Sequence, residues 1–492
     1  MKKPLTGYKL VAYYMGIFMI MIGCIVLTPL IVLIFYPEEI DYAPHFVIPG
    51  MMTILVGYLL HYFLKKGEVT QLQKHQDSLL VLLVWVLAIV ISSIPWMMTG
   101  KYNFTQAVFD CTSGYTTTGL SVVTPEECPK IFLMFRSIML FVGGIGLVLV
   151  MSCAVSDRWG LRLFNAEGHT DKLLPNLKKS ARAILLIYST YIILGVIAYC
   201  IAGMNLFDAI NHSIAALSTG GFSTKNANIL AYHSVAIDII SDVLMLLGGT
   251  NFLVHLYLFR GQIKKVWKHC ETKFIIFFTL AMFPIMTLML YLNDYASFGE
   301  SMNIAFFQYV SALTTTGFSN VADTGAMPSC FKFMMIIMML IGAGIGSTGG
   351  GIKQYRVVAA IKGMFYNFKR GLSPRRTIFT HYIDKTGSTE ELTSEEVASS
   401  HNYIILYLLI FFLGSLIFTC YGHSLDDAMF EFASALGTVG ISVGVTGYNA
   451  PALILWTGTF GMFFGRLEIL VVFNAFARIG KAMLDRKTIC RS

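Results

Sequence analysis

The chain has 492 residues, of which 55% are hydrophobic and only 13% are charged, and its formal net charge is +8. Soluble domains carry about 25% charged residues, so this composition excludes an ordinary soluble protein. The positive charge does not indicate a nucleic-acid partner, because the basic residues are concentrated where a membrane protein needs them for its orientation.

Apolar runs of about 20 residues recur along the chain, and such a run is long enough to cross a hydrocarbon core of roughly 30 Å. The alternative is the buried core of a soluble protein, but that would need long amphipathic helices to cover these runs. We therefore predict ten membrane-spanning segments. They are Leu10–Ile34, Phe46–Leu64, Leu79–Met98, Ile131–Met151, Ala183–Ile201, Ile237–Phe259, Phe274–Leu292, Phe333–Gly351, Tyr403–Tyr421 and Ala452–Phe473.

Basic residues cluster at the termini and in the loops around 65–78, 156–182, 260–273 and 353–402. Lys and Arg are retained on the cytoplasmic side of a membrane. Both termini are therefore predicted to be cytoplasmic. The first apolar run is predicted to be a spanning helix, since it is too long for the core of a signal peptide.

Four short segments share a pattern in which a Thr is followed by any residue, a Gly, a bulky apolar residue and a Ser. They are Thr116–Ser121, Ser218–Ser223, Thr314–Ser319 and Gly437–Ser442, and we call them the first to fourth Thr-x-Gly loops. One such pattern is common in any loop, but four in a common frame are not. Four equivalent loops can form a ring of backbone carbonyls that replaces the hydration shell of a monovalent cation.

A segment too short to cross a membrane precedes each loop. These segments are Phe104–Gly114, Leu206–Ala216, Met302–Ala312 and Leu425–Ala435. As helices of about eleven residues they rise about 16 Å, so we predict that they enter from the outer side and stop at mid-membrane. Their carboxyl ends, which carry the negative end of the helix dipole, then favour a cation at the axis. Acids lie near their outer ends: Asp208, Glu300, Asp426 and Asp427.

The predicted fold is an all-α membrane protein with pseudo-fourfold symmetry around a central ion pore. Two leading transmembrane helices occupy residues 1–74. Four fused repeats of helix, pore loop and helix follow, at 75–165, 166–271, 272–385 and 386–492.

The run Gly342–Gly351 contains six glycines in ten residues, and each costs about 1 kcal/mol in a helix relative to alanine. It matches GxGxxG formally, but a dinucleotide site needs a preceding strand, and here an apolar span precedes it. We predict a flexible loop and a candidate gate, with close helix packing through small residues as the alternative. The gate glycines are Gly342, Gly344, Gly346, Gly349, Gly350 and Gly351. The similar run Gly143–Gly146 is predicted to pack helices or to bend one.

Arg466 lies in the middle of the last span, where a lone cation is expensive. It is predicted to project beneath the loops, where it repels or gates cations and contacts the glycine run. The alternative is a purely structural pairing with Glu468 or with a neighbouring helix. Arg136 and Lys332 lie near helix ends and are predicted to extend to the interface. His212 is predicted to support its loop by hydrogen bonding rather than to carry protons.

The two leading spans, the four Thr-x-Gly repeats and the glycine-rich third repeat resemble the Trk/Ktr/HKT superfamily of potassium transporters, and its TrkH branch in particular. The resemblance covers nearly the whole chain. It implies that K⁺ is the transported ion, held by backbone oxygens, with no organic cofactor. The implied K⁺-binding residues are Thr117, Thr118, Gly119, Thr219, Gly220, Gly221, Thr315, Thr316, Gly317, Thr438, Val439 and Gly440.

In this family, serine at the first filter glycine goes with sodium transport, so Gly119 favours potassium. The resemblance also implies a gate made by Gly342–Gly351 and Arg466. It implies a homodimer in the lipid of the bacterial plasma membrane, with a separate cytosolic nucleotide-binding subunit of the TrkA type. Only the fourth loop reads Thr-Val-Gly, and none continues to Tyr-Gly, which implies weaker discrimination among K⁺, Rb⁺ and Na⁺ than in potassium channels.

The sequence therefore predicts channel-like K⁺ uptake, driven by a membrane potential that supplies about 2.3 kcal/mol per charge per 100 mV. The first alternative is a Na⁺-selective transporter or an H⁺- or Na⁺-coupled symporter. Proton coupling would need a buried carboxylate, and Glu468 is the only candidate that we identify in a span. A membrane enzyme is the second alternative, but catalytic clusters are not found, so no enzyme is predicted. Whether Cys128 and Cys330 pair is left open.

Overall fold

A computed structural model describes residues 4–5, 8–64, 68–69, 74–147, 177–374, 380–385, 388–470, 472–473 and 477. The predicted repeat boundary at residues 165 and 166 lies outside these described residues. The α-helices within them are α1 Tyr8–Leu27, α2 Ala43–Leu64, α3 Lys74–Met98, α4 Phe104–Tyr115, α5 Lys130–Ile145, α6 Leu177–Ile201, α7 Leu206–Leu217, α8 Val235–Gly248, α9 Phe252–Phe259, α10 Ile263–Lys268, α11 Cys270–Leu292, α12 Phe298–Leu313, α13 Ser329–Ile341, α14 Gln354–Gly371, α15 Ser394–Cys420, α16 Leu425–Leu436 and α17 Ala452–Leu467.

Long apolar helices dominate the described part of the chain. Six stretches are long and apolar enough to cross a membrane: Lys9–Ile34, Pro37–Leu64, Leu79–Met98, Arg182–Ile201, Cys270–Leu292 and Ser394–Cys420. The bent pair α8 and α9 meets the same criterion if it is counted as one span, and α13 and α17 are shorter apolar helices. These lengths are those of a protein that crosses the membrane repeatedly.

The predicted span Ile237–Phe259 is wrong as a single straight helix, because α8 and α9 meet at an angle of 105°. Gly248 and Gly249 end α8. Asn251 then caps α9 by accepting a hydrogen bond from the Leu253 amide at 2.8 Å. The glycine pair and the cap residue are ordinary stop and start signals, so the sequence did carry the information for this bend.

The predicted spans that close the third and fourth repeats are helical over only part of their length. Of the run Phe333–Gly351, the helix α13 ends at Ile341 and the glycines beyond it form a loop. The helix α17 ends at Leu467, and the next residue, Glu468, has a φ of +57°. At about 1.5 Å per residue, both helices are shorter than a hydrocarbon core of roughly 30 Å.

The first two spans form a closely packed antiparallel hairpin. Gly16 faces Gly57 and Gly23 faces Gly50, and a Cβ added at Gly16 would lie 2.7 Å from the Gly57 carbonyl oxygen. In lipid, small residues let helix backbones approach closely enough for dispersion to hold them together. The opposite face of α2 is apolar and exposed, as at Met52, which suits contact with lipid.

The chain after this hairpin is built from four repeats of helix, short helix, loop and helix. They are α3–α4–α5, α6–α7–α8, α11–α12–α13 and α15–α16–α17. Each short helix begins at a side chain that accepts a hydrogen bond from the amide three residues later, an N-cap. The caps are Asn103, Asn205, Ser297 and Ser424. The predicted all-α fold of two leading helices and four repeats is confirmed.

Apolar packing shows that the repeats close on one another. One large cluster joins α1, α3, α4 and α5 to α17 through side chains such as Phe109 and Met462. The other joins repeats two, three and four through Phe222, Phe331 and Phe432. Because the fourth repeat belongs to both clusters, it packs on the first as well as on the third, and the repeats form a ring rather than an open row.

Two basic residues that were predicted to extend to the interface are buried instead, so both predictions are wrong. Arg136 is 2% exposed, beside Asp110 and over the ring of Phe222. The Lys332 side chain is 6% exposed, and its ammonium lies 2.7 Å from Asp426. In each case a carboxylate on a neighbouring helix offers the cation a partner inside the protein, which the local sequence does not reveal.

Two small sheets complete the described fold. The strands β1 (Pro4–Leu5) and β2 (Glu68–Val69) pair in parallel, and β3 (Tyr382–Lys385) and β4 (Ser388–Glu391) form an antiparallel hairpin. The hairpin docks on the start of α11, where the Lys273 ammonium lies 2.8 Å from Asp384.

Candidate functional site

The four Thr-x-Gly loops adopt one backbone conformation. The threonine of each has a positive φ: 53° at Thr117, 50° at Thr219, 56° at Thr315 and 52° at Thr438. Positive φ is uncommon outside glycine, so four aligned cases identify the loops as structural copies. An equivalent backbone hydrogen bond of 2.8–2.9 Å ties each loop to its short helix: Thr118 N to Ser113 O, Gly220 N to Ala215 O, Thr316 N to Ser311 O and Val439 N to Ser434 O.

The glycines of the loops also have positive φ, and each packs against the next loop. Their φ angles are 100° at Gly119, 60° at Gly221, 87° at Gly317 and 101° at Gly440. A Cβ added at each of these glycines would meet a carbonyl oxygen of the following loop. At Gly119 it would lie 2.6 Å from the Gly220 oxygen. The other three pairs are closer still: Gly221 with the Thr316 oxygen, Gly317 with the Val439 oxygen and Gly440 with the Thr118 oxygen. Since the fourth loop contacts the first, the contacts close into a ring.

A polar residue on each short helix holds the serine that ends its loop. The pairs are Asp110 with Ser121 at 2.7 Å, His212 with Ser223 at 2.9 Å, Gln308 with Ser319 at 3.1 Å and Glu431 with Ser442 at 2.8 Å. One geometric role is thus filled by four chemically different side chains. The prediction that His212 supports its loop by hydrogen bonding is confirmed.

The glycine-rich segment, residues 342–353 between α13 and α14, lies against the threonines of all four loops. The contacts, one for each loop, are Thr117 Oγ1 to Thr348 O at 3.4 Å, Thr219 Oγ1 to Thr348 Oγ1 at 3.0 Å, Gly350 N to Thr315 Oγ1 at 2.9 Å, and Gly350 against the Thr438 hydroxyl. Because it touches every loop, the segment lies across their common axis.

The glycine-rich segment folds back on itself. A Cβ added at Gly351 would lie 2.6 Å from the Cα of Gly342, so the two ends of the run meet. The Ala343 amide donates to the Gly350 carbonyl at 3.2 Å. The run is therefore a compact loop with its own hydrogen bonds. Close packing of its small residues, which the sequence left as the alternative, also holds this loop.

The bend in the second repeat holds one edge of the glycine-rich segment. The Thr348 amide donates to the Gly248 carbonyl at 3.2 Å, and the Thr348 hydroxyl donates to the same oxygen at 2.9 Å. The Gly344 amide donates to the Gly249 carbonyl at 3.0 Å. These carbonyls are available because α8 stops at the bend instead of continuing as the predicted span.

Three polar side chains that the sequence reasoning missed also hold this segment. The bonds are Ile345 N to Glu271 Oε1 at 2.7 Å, Gln354 Nε2 to Gly342 O at 3.1 Å, and Lys353 Nζ to Gly349 O. Lys353 and Gln354 directly follow the glycine run, so their position was a usable signal. Glu271 is remote in sequence, and nothing around it indicates this contact.

Arg466 lies at the end of α17 and reaches two repeats. Its guanidinium donates to the Thr348 carbonyl at 2.5 Å, to the Gly144 carbonyl at 3.3 Å and to the Gly143 carbonyl. The predicted contact with the glycine run is therefore present. The run Gly143–Gly146 supplies two of the acceptors and ends α5, with a φ of +103° at Gly146.

The carboxylates inside the spans differ from the prediction in their number and in the partner of Glu468. Both oxygens of Glu468 accept from the Arg356 guanidinium at 2.9 Å, so an ion pair between Glu468 and Arg466 is not favoured. The prediction that Glu468 is the only candidate carboxylate in a span is also wrong. Asp238 and Asp242 lie on α8 and are 7% and 5% exposed.

The described part of the chain holds neither a metal-binding cluster nor a disulfide between Cys128 and Cys330. Among the described residues, no group of three or more His, Cys, Asp or Glu is placed to hold a metal ion. Cys128 and Cys330 are both free cysteines. Whether these two cysteines pair was left open by the sequence, and in this structure they do not form a disulfide.

Related proteins match the chain over nearly its whole length. An uncharacterized cation transporter of Methanocaldococcus jannaschii, MJ1485, is 29% identical over 97% of this chain and 96% of its own. The Trk system potassium uptake protein TrkH of Escherichia coli K12 is 28% identical over 95% of this chain and 98% of its own. The crystal structure of the potassium transporter TrkH from Vibrio parahaemolyticus superposes with a TM-score of 0.82, at 27% identity over 95% of this chain and 98% of that one.

The family assignment follows from a match that is longer than any single repeat. A model of the TrkH family, described as cation transport protein, matches residues 43–484. That range contains the four loops, the glycine-rich segment and Arg466. A family of transporters also excludes the membrane enzyme that the sequence left as an alternative. The chain is a multi-pass membrane protein and belongs to the TrkH family of cation transport proteins.

Proposed function

We propose that this chain carries K⁺ inward across the plasma membrane through the ring of Thr-x-Gly loops. The observation that carries the proposal is the closed ring, in which each loop glycine lies beside a carbonyl oxygen of the next loop. Rings of carbonyl oxygens replace the hydration shell of K⁺ in selectivity filters. Relatives that are named as potassium uptake proteins support K⁺ as the ion.

The proposed K⁺ ligands are the backbone oxygens of the Thr-x-Gly triplets. Positive φ at both the threonine and the glycine turns the backbone of each loop in the same way, which supports four equivalent contributions. The four short helices end at these loops, and their carboxyl ends add the negative end of the helix dipole. Both effects favour a cation over an anion.

The glycine-rich segment and Arg466 form the gate in this proposal, and the conformation described here is its closed state. The segment contacts the threonines of all four loops from one side. Arg466 and Lys353 bring two basic side chains to the same place. Glycine backbone is permissive, so the segment can change conformation at a lower cost than a helix would.

Coupled symport on the same scaffold is the second candidate function. The observation that favours it is the pair of buried carboxylates, Asp238 and Asp242. Intramembrane carboxylates are typical of proton relays in transporters. Asp238 is not free of structural duty, because it accepts a hydrogen bond from Asn303 on the third short helix at 2.8 Å.

The proposal extends to orientation and partners. The protein is a homodimer in the lipid of the bacterial plasma membrane, with both termini in the cytoplasm, on the side where the basic loops lie. A separate cytosolic nucleotide-binding subunit regulates the gate. The β3–β4 hairpin, whose Ile383 packs in one apolar cluster with Cys270 of α11 and Ala359 of α14, offers such a subunit a folded surface.

The decisive experiment is ion flux through the full-length protein in liposomes, with K⁺, Rb⁺, Na⁺ and Li⁺ compared at several pH values. We expect a reversal potential that is set by the K⁺ and Na⁺ gradients in proportion to their permeabilities, with K⁺ dominant, and that does not move with the pH gradient. A reversal potential that moves with the pH gradient identifies proton-coupled symport instead, and Na⁺ flux that requires K⁺ on the same side identifies Na⁺-coupled symport. Absence of K⁺ flux, with and without a cytosolic nucleotide-binding subunit, contradicts the proposal.

A further inference from the structure

Arg136 is a buried cation that touches the supports of two adjacent loops. Its guanidinium carbon lies 3.7 Å from the ring centroid of Phe222, which is the bulky apolar residue of the second loop. Its Nε lies 3.5 Å from Asp110 Oδ2, and Asp110 holds the first loop through Ser121. One side chain therefore connects the first loop to the second from behind.

The aligned positions of the other repeats carry no charge. The helices α5, α13 and α17 each begin after a proline, and their seventh residues are Arg136, Met335 and Gly458. In the second repeat, Gly248 packs on a carbonyl at the end of its short helix as Gly143 does in the first, which aligns Ser241 with Arg136. The cation is thus specific to the joint between loops one and two.

Stability alone does not account for this residue. A guanidinium out of water is costly unless it is well compensated, and well-packed apolar residues in place of a buried ion pair are often at least as stable. The Nε to Asp110 distance of 3.5 Å is longer than a good charge-assisted hydrogen bond. What arginine adds here is position: it holds Phe222 at a fixed distance from Asp110.

The distance between Phe222 and Asp110 affects the geometry of the ring of loops. Phe222 directly follows Gly221, and a Cβ added at Gly119 would lie 2.6 Å from the Gly220 oxygen, so the first and second loops are in contact. Movement of Phe222 is therefore carried into the separation of the two loops. Ion selectivity depends on the spacing and stiffness of the coordinating oxygens.

We propose that Arg136 is a positioning residue that sets ion selectivity by fixing the first loop relative to the second. The inference rests on the proposed function, since it concerns the same ring of loops. Without Arg136, the joint between these loops relaxes, and the preference for K⁺ over Na⁺ falls. Lysine in its place keeps a cation near Phe222 but loses the planar group that covers the ring, so it restores only part of the preference.

The test compares Arg136→Met and Arg136→Lys with Lys332→Met as a matched control. Lys332 is also a buried cation between repeats, but it binds Asp426 at the start of α16 and not a loop. The measurements are relative Na⁺ and K⁺ permeability in liposomes and the thermal unfolding of each variant. We expect Arg136→Met to raise relative Na⁺ permeability roughly threefold or more, Arg136→Lys to lie between it and the wild type, and Lys332→Met to lower stability without changing the ratio.

A double-mutant cycle tests whether Arg136 acts through Phe222. If it does, Phe222→Leu shifts the ratio in the same direction, and adding Arg136→Met changes it little further. Phe222→Leu alone decides the matter if Arg136→Met does not fold. A wild-type ratio in the folded Arg136 variants, or in Phe222→Leu, overturns the inference and leaves the proposed function standing. Absence of K⁺ flux through the wild type would instead overturn the proposed function.

Discussion

The imidazole Nε2 of His212 lies 2.9 Å from the hydroxyl oxygen of Ser223, and both side chains are buried. The other ring nitrogen, Nδ1, lies 2.8 Å from the Asp208 carbonyl oxygen. Because a carbonyl only accepts, Nδ1 carries a hydrogen. The ring is a brace between the start of its short helix and the end of its loop.

The third repeat shows what can replace this brace, since Gln308 bonds Ser319 from the aligned position. We therefore expect His212→Gln to retain most of the wild-type ion flux, because its amide reaches the same serine. His212→Leu leaves a buried hydroxyl without that partner, at a cost of about 1–3 kcal/mol, and should lower both thermal stability and flux. Rb⁺ uptake and thermal unfolding of the two variants check this. Equal losses in both would mean that the imidazole does more than brace the loop.

Gly119 is the second test, because its φ is +100° and its neighbour is the second loop. A serine there would push against the Gly220 oxygen at 2.6 Å and widen the joint, so we expect Gly119→Ser to lower the preference for K⁺ over Na⁺. Gly203 has the same φ of +100° with nothing within 4 Å of an added Cβ. Gly203→Ser therefore carries the backbone strain alone and should leave the ion preference unchanged. If both variants change it equally, crowding at the ring is not the cause.

The positions of the loops and short helices were predictable because their signals are local. A Gly that needs positive φ sits at a fixed distance after a helix with an Asn or Ser cap, and this unit occurs four times. The caps Asn103 and Ser297, for example, stand directly before their helices. The bend after α8 has a local signal too, in Gly248, Gly249 and Asn251, but a continuous apolar run outweighed it in the prediction.

The contacts between repeats were not predictable from the sequence. Arg136 near a helix end is as compatible with an interfacial position as with a buried one, and only the fold brings Asp110 and Phe222 to it. The same holds for Glu271, which bonds the Ile345 amide from the start of α11, 74 residues earlier in the chain. Such contacts depend on how helices remote in sequence meet, and periodicity and composition carry no information about that.

Arg466 provides the third test, because its guanidinium binds the Thr348 carbonyl of the glycine-rich segment and two carbonyls at the end of α5. Arg466→Ala removes these bonds and a positive charge beneath the loops. We therefore expect a higher Rb⁺ flux at the same driving force. Arg466→Lys keeps the charge but cannot bond three carbonyls in the same fork, so an intermediate flux is expected. A flux that follows charge alone, with lysine equal to arginine, would show that the hydrogen bonds do not hold the segment closed.

His269, just before α11, is a titratable group beside a contact that holds the glycine-rich segment. It is 4% exposed, and its Nδ1 lies 4.0 Å from the Glu271 carboxylate that accepts the Ile345 amide. Burial lowers the pKa of His269 to about 4, although the charge of Asp384 opposes the shift. The ordinary value is about 6.5. The state in which His269 is buried therefore binds a proton less readily than a state that exposes it. The stability of the buried state is complete above about pH 6.5 and falls as the pH drops from there towards 4.

Acidification on the side of His269 should thus favour states in which the start of α11 is exposed and Glu271 releases the Ile345 amide. We expect Rb⁺ flux to rise when the pH on this side is lowered from about 7 to about 5, within the range in which the protein stays folded. His269→Gln has no proton to gain there and should flatten the response. Glu271→Gln, which keeps an acceptor oxygen, should leave the direction of the response unchanged. A pH response that persists in His269→Gln would assign it to a different titrating group, with the buried carboxylates of α8 as the next ones to substitute.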